Sequence, residues 1–341
     1  MMKGQRMNTN RGLWSYLGVV VVRRLGGVIR GLGLLALVGC SLVDPASESA
    51  EVSAPPAIPL WEPAEWRSSA TPLMIQVCVD FSDGYPAEYR EHALGLVADG
   101  VEALAAPGGG AGTVFVAMMS ANSFPDSNLI GVFELRPVAP AEEPPATLTV
   151  PPTATSGLID PQGKREAERL ATAEALAVDA ANAANATAFA AAQSTHQAVA
   201  GAELARAREF GEMLRAFRPR LSVAARATLD ALGCISRAAE RMAEYEGRKL
   251  LIIASDLDGT GEQQVSPNLD LSGVRVRVID LPSDNAGQAD GWYFRTQHWL
   301  RQFGNAGTQD VEFYDPAASQ LLTLADLLPP DVGLQVTGEG R

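Results

Sequence analysis

Apolar and polar positions alternate between two periods along this chain, and the changes of period mark its elements. Leu73-Met-Ile-Gln-Val-Cys-Val-Asp80 is an apolar run that predicts a β-strand ending in a carboxylate. Asp83-Gly84 turns the chain, and Pro86 suits the first turn of a helix. Tyr89, Leu94, Val97, Val101 and Leu104 then recur at helical spacing until Pro107-Gly-Gly-Gly110 stops them. Thr113–Met119 predicts a second strand, Ser120–Asn128 a polar loop and Leu129–Leu135 a third strand. A connection that short, with no helix in it, makes strands two and three an antiparallel pair. Ala224–Tyr245 predicts a helix with Leu229, Leu232, Ile235, Ala239 and Met242 on one side. Lys249–Ala254 is the most apolar run and predicts a central strand covered on both faces. Val274–Ile279 alternates with Arg275 and Arg277, which predicts one partly solvated face. Trp292–Phe303 predicts a helix and Asp310–Tyr314 a last strand. Helices placed between strands in this order predict an α/β fold: a doubly wound, mostly parallel open sheet with one antiparallel edge strand.

Between the two halves of that pattern lie residues of a different kind. Residues 137–157 are rich in Pro, Thr and Ala and predict a linker without core-forming power. From Lys164 to Arg218 alanine dominates, with Glu and Arg interspersed, and predicts helix. As one helix this stretch would reach about 80 Å, so it either protrudes or folds back near Ala186–Ser194 or Gly201. The expected organisation is a domain of residues 71–136 and 220–316, an insertion at 137–219 and a tail at 317–341.

Charge and the N-terminus narrow the class. Residues 1–39 hold six basic residues and no acidic one, while the whole chain carries −13, so everything downstream is decidedly acidic. Nucleic acid is therefore not an expected partner. Arg23, Arg24 and Arg30 precede the short apolar run Gly31–Gly39, the pattern of an export signal rather than a spanning helix. Leu37-Val38-Gly39-Cys40 resembles the bacterial lipobox, in which cleavage leaves a lipid-modified cysteine. That resemblance implies a signal peptide at 1–39, lipidation of Cys40 and a lipid anchor to a membrane. Ser41 then points to the outer membrane, facing the periplasm where the cell has one, or to the cell surface. Residues 40–70, with Pro45, Pro55, Pro56, Pro59 and Pro63, predict a flexible tether.

In doubly wound sheets ligands gather at the carboxyl ends of the strands, and Asp80 and Asp256 stand at two such ends. The order of elements resembles the von Willebrand factor A (VWA) family. In that family an Asp-x-Ser-x-Ser loop, a threonine before a middle helix and an aspartate after the fourth strand bind Mg²⁺. Here the loop reads Asp80-Phe-Ser82-Asp83-Gly84, and Ile252-Ile-Ala-Ser-Asp256 matches the fourth-strand segment. Thr228 is the threonine counterpart, displaced by about one residue. The resemblance implies a metal set of Asp80, Ser82, Thr228 and Asp256. Gly84 replaces the second serine and removes one hydroxyl, so a Mg²⁺ site and a degenerate metal-free site both remain open. Plain roles for Asp80 and Ser82 are a turn and a helix cap.

Asp256-Leu-Asp-Gly-Thr260 also resembles the opening motif of haloacid dehalogenase (HAD)-like phosphatases, where the first aspartate attacks phosphate. That family needs a later lysine, and none follows Lys249. No nucleophile–histidine–acid series stands out either, so no catalytic residue is expected. His92, His196 and His298 are scattered and suit surface or packing roles. Trp292, Tyr293 and Trp299 are expected to pack the last helix on the sheet. Cys78 and Cys234 can pair outside the cytoplasm, although buried free thiols are the expected state for such positions. The expected activity is binding of a protein or envelope component. The alternatives are a HAD-like phosphatase and a structural envelope spacer.

Overall fold

The structure is a computed structural model that describes residues 58, 60–62, 71–82, 84–120, 123–150, 161–218, 230–257, 268–282 and 289–328. All of these belong to one compact unit, Ala57–Arg341. Cys40, Thr228 and the segment from Asp258 to Thr260 lie outside the described residues.

The chain forms β1 (Leu73–Asp80), α1 (Ala87–Ala105), β2 (Gly112–Met119), β3 (Leu129–Leu135), α2 (Pro161–Ala216), α3 (Ala231–Ala243), β4 (Arg248–Ala254), β5 (Val274–Ile279), α4 (Ala289–Asn305) and β6 (Val311–Phe313). Two single-turn helices follow, α5 (Pro316–Ser319) and α6 (Leu324–Leu327). The strands make one six-stranded sheet in the order β3-β2-β1-β4-β5-β6. Only the β2–β3 pair is antiparallel. The α/β architecture expected from the residue pattern is thus present, with β3 as the antiparallel edge.

Alternation along the buried strands divides the core into two layers. Ile75, Val77, Val79, Leu250 and Ile252 face α1, the end of α2 and α6. Met74, Cys78, Leu251, Ile253, Val276 and Val278 face α3 and α4, where Trp299 and Phe303 cover them. Within the stretch read as a tail, Leu324, Leu327 and Leu328 are buried against the α1 layer.

Several expectations change. Cys78 and Cys234 are not free thiols but a disulfide joining β1 to α3, with Cα atoms 6.2 Å apart; packing the apolar face of α3 on β1 brings them into bonding range. The middle helix is described from Ala231, where the Asp230 side chain caps it by accepting from Gly233 N at 2.7 Å; residues 224–229 of the expected helix lie outside the described residues. The face of β5 expected to be partly solvated is so at Arg275 but not at Arg277, which is buried and pairs with Asp310 and with Glu312 of β6. Tyr293 does not pack on the sheet and is 56% exposed, unlike Trp299.

The alanine-rich stretch is one unbroken helix of 56 residues, with no fold-back at Ala186–Ser194 or Gly201. Its length is about 84 Å at 1.5 Å per residue. Ala207, Phe210 and Leu214 dock its last turns in the α1 layer. Farther back Val178 and Ala181 are also buried, and hydrogen bonds tie the helix to the segments flanking the domain. Asn182 accepts from Leu148 N at 2.9 Å and donates to Leu148 O at 3.0 Å. His196 Nε2 donates to Ala139 O at 2.7 Å. Trp61 N donates to Asn185 Oδ1 at 2.9 Å, and the Trp61 ring meets Phe189 edge-on. The Pro-rich segment therefore joins the fold through backbone hydrogen bonds, which need no apolar side chains.

Candidate functional site at the carboxyl ends of the strands

Register builds the site. Val79 pairs with Ala254, and Ala254 with Ile279. The next residues along the three parallel strands, Asp80, Ser255 and Asp280, therefore share one row. Ser255 Oγ donates to Asp80 Oδ2 at 2.8 Å, and all three residues are fully buried. Ser82 N donates to the other Asp80 oxygen at 2.7 Å, closing the turn after β1. Asp256 stands one residue beyond Ser255 and is half-buried. Adjacent strands lie about 4.8 Å apart, so the Asp80 and Asp256 backbones are on the order of 6 Å apart. The two acids expected to share a crevice are brought to the same rim.

Among the described residues, two that are not glycine adopt left-handed backbone here, Leu257 at φ 52° and Asp280 at φ 55°. Each follows the end of a central strand, and such conformations are sparsely populated for side-chain-bearing residues. At Asp280 the turn interrupts the alternation, and the carboxylate meets α1. His92 Nδ1 donates to its oxygens at 2.9 and 3.1 Å. That hydrogen bond holds the His92 pKa above the usual imidazole value, against the effect of burial. The Asp280 backbone N–H donates to Ser319 Oγ at 2.9 Å, tying the row to α5.

Tyr85 completes the cluster. It is fully buried just before α1, and its hydroxyl has no hydrogen-bond partner among the described residues. Burial first, then the carboxylates of Asp280, Asp80 and Asp256, push that hydroxyl far above the ordinary tyrosine range. A buried donor without an acceptor costs free energy, so this one is an anomaly located among three acids.

Among the described residues, no group of three or more His, Cys, Asp or Glu side chains is placed to hold a metal ion. The oxygen donors of Asp80, Ser82 and Asp256 are nevertheless of the type a hard dication takes, and Mg²⁺ retains waters for the rest of its shell. A Cβ added at Gly84 would meet nothing within 4 Å, so the position of the missing serine is open. Lys249 lies at the far end of β4 from Asp256, roughly 20 Å away along the strand. It cannot balance a phosphate at Asp256 as the phosphatase resemblance would require.

Asp280, Tyr85 and His92 were not among the expected site residues. The signal for Asp280 is present in the sequence, an aspartate ending an apolar run as Asp80 does. The pairing with His92 spans 188 positions and has no local signal.

No known protein family matches the chain, nor does any curated protein or solved structure.

Proposed function

We propose that the chain is a cell-envelope lipoprotein, anchored through lipid on Cys40, whose VWA-like domain binds a protein or envelope partner at the strand-end crevice. The observation that carries this reading is the row Asp80–Ser255–Asp280, with Asp256 next along the chain and the Tyr85 hydroxyl near these acids, without a hydrogen-bond partner among the described residues. A buried hydroxyl without an acceptor among the described residues costs stability without adding packing, a cost that a binding site accounts for. The strand order with one antiparallel edge supports the VWA reading of Asp80, Ser82 and Asp256. If a cation bridges the partner, Asp80, Ser82 and Asp256 would hold it, with Thr228 as the fourth expected ligand. The ion would supply a positive centre for an acidic group on the partner. The buried Cys78–Cys234 disulfide suits an oxidising compartment and so favours export.

A second reading, a structural envelope spacer, is favoured by the unbroken helix Pro161–Ala216. In-cell photocrosslinking separates the two. A photoreactive residue at Ser82 is expected to give a discrete adduct in the membrane fraction, and a probe at Ala180 on α2 is expected to give none. Adducts from Ala180 alone would favour the helical arm as the contact, and adducts from neither site would favour the spacer. Cys40→Ser is expected to move the chain out of the membrane fraction; retention there would contradict the lipid anchor.

A further inference from the structure

The outer face of α4 differs in chemistry from the outer faces of α1 and α3. α4 turns Trp299 and Phe303 onto the sheet. At 3.6 residues per turn, Phe294 and Arg301 then point directly away from it, with Tyr293, Gln297 and Leu300 on one flank. Phe294 is 68% exposed, Tyr293 and Leu300 are exposed as well, and the Tyr293 and Phe294 rings meet edge-on at 5.9 Å. By contrast, α1 exposes Glu88, Glu91 and Asp99, and α3 exposes Glu240 and Glu244.

Charge sets this face apart a second time. Asp290, in the first turn, is the one acid in the sequence of α4, and no Asp or Glu follows it until Asp310. Arg301 stands exposed on the same face. The neighbouring strand does not bring acids to it. Val311 and Phe313 are the β6 residues packed on the α4 side, and Glu312 between them points to the other side of the sheet, where Arg277 pairs with it. In a chain of net charge −13, an apolar face with a cation and without a carboxylate is a local exception.

Area and tether length decide what such a face fits. A fully covered aromatic side chain buries about 150–250 Å², so three large side chains already partly covered leave a patch on the order of 300–400 Å². A stable contact between two proteins, a second copy included, takes about 800 Å² per partner. A bilayer sets no such minimum for a chain already held beside it. From Cys40 to Ile58 the chain spans at most about 60 Å when fully extended. An N-terminal anchor therefore keeps the domain within reach of the lipid at a local concentration of mM order. Tyr at the headgroups, Phe and Leu at the acyl boundary and Arg among phosphates is the composition of an interfacial helix. Repulsion between the acidic domain and an anionic surface turns the carboxylate-bearing faces outward and leaves α4 to meet it.

We propose that the outer face of α4 docks on the membrane surface, with Tyr293, Phe294 and Leu300 entering the interface and Arg301 meeting anionic headgroups. This rests on the anchored-lipoprotein reading for what brings the domain to the bilayer. A helix laid on a sheet runs alongside the strands, so the docked domain holds its strands along the membrane plane. The strand-end crevice then opens sideways, parallel to the bilayer.

The test places a photoreactive residue at Gln297, in the middle of the face, with Glu88 on α1 and Glu240 on α3 as control positions. Each full chain is reconstituted through its own N-terminus into phosphatidylcholine vesicles with or without phosphatidylglycerol, irradiated, and its adducts are identified by mass. The mass of the purified chain separately reports whether Cys40 is acylated, so a failed anchor and a failed docking face are told apart. Phospholipid adducts are expected at Gln297 and not at Glu88 or Glu240. Phe294→Ser/Leu300→Ser is expected to bring the Gln297 yield down to that of the controls, with unchanged circular dichroism. Arg301→Gln is expected to lower the yield about fivefold with phosphatidylglycerol and to leave it unchanged in phosphatidylcholine alone. Equal lipid adducts at all three positions would overturn the proposal. So would an adduct at Gln297 to a second copy of the chain in place of lipid, or a lipid yield untouched by Phe294→Ser/Leu300→Ser.

Discussion

The His92–Asp280 contact gives the strand-end site a pH signature. Because the hydrogen bond raises the His92 pKa in the folded chain above its unfolded value near 6.5, it stabilises the fold fully below that pH. The contribution is lost as pH rises through the elevated folded value. In thermal unfolding at a series of pH values, the advantage of the parent over His92→Gln is expected to be largest at pH 6.5 and below, and to shrink above it. A constant difference would contradict the pairing. Gly84 offers a second test at this scale. The open space around it admits a serine side chain, so Gly84→Ser restores the hydroxyl that the VWA pattern supplies. On the proposed VWA reading, in which Asp80, Ser82 and Asp256 would hold Mg²⁺, it is expected to tighten Mg²⁺ binding about tenfold, the effect of ~1.4 kcal/mol from one added ligand, read from the Mg²⁺ dependence of the unfolding midpoint. No Mg²⁺ response in either protein would leave the crevice metal-free.

At the scale of elements, the strands were readable because runs such as Leu73–Asp80 and Val274–Ile279 combine β-branched residues with abrupt polar ends. What those runs do not encode is partnership across the sheet. The burial of Arg277 depends on Asp310, 33 positions on, and the role of Asp280 depends on His92 from a helix in the other half of the chain. The continuity of α2 was equally hidden, since alanine favours helix throughout but sets no apolar stripe to say where a turn would fall. The anchoring of that helix is testable. Leu214 is fully buried and Leu176 is 65% exposed, so Leu214→Ala is expected to cost about 3 kcal/mol in chemical denaturation. Leu176→Ala should stay within about 0.5 kcal/mol. Equal effects would contradict the docking of the last turns alone. The disulfide links residues 156 positions apart. Closing a loop that long stabilises by about 5 kcal/mol in the chain-entropy account. The double variant Cys78→Ala/Cys234→Ala is expected to lose about 3–5 kcal/mol, and a non-reducing peptide map should join the two segments.

Taken as a whole, the domain separates opposite charges along its strands. Acids collect where the central strands end, and cations collect where β4 and β5 begin. That polarity was half visible in the sequence. Asp80 and Asp256 could be assigned to strand ends, but Arg248, Lys249 and Arg275 become neighbours only once β4 and β5 pair in register. The central claim is that the acidic end is a binding surface. It is tested most directly by placing the Ser82 photocrosslinker in the parent and in Asp80→Asn/Asp256→Asn, and comparing adduct yields from intact cells. The account predicts that the double variant keeps its fold and its membrane location while the adduct falls to background. An undiminished adduct in a folded double variant would contradict it.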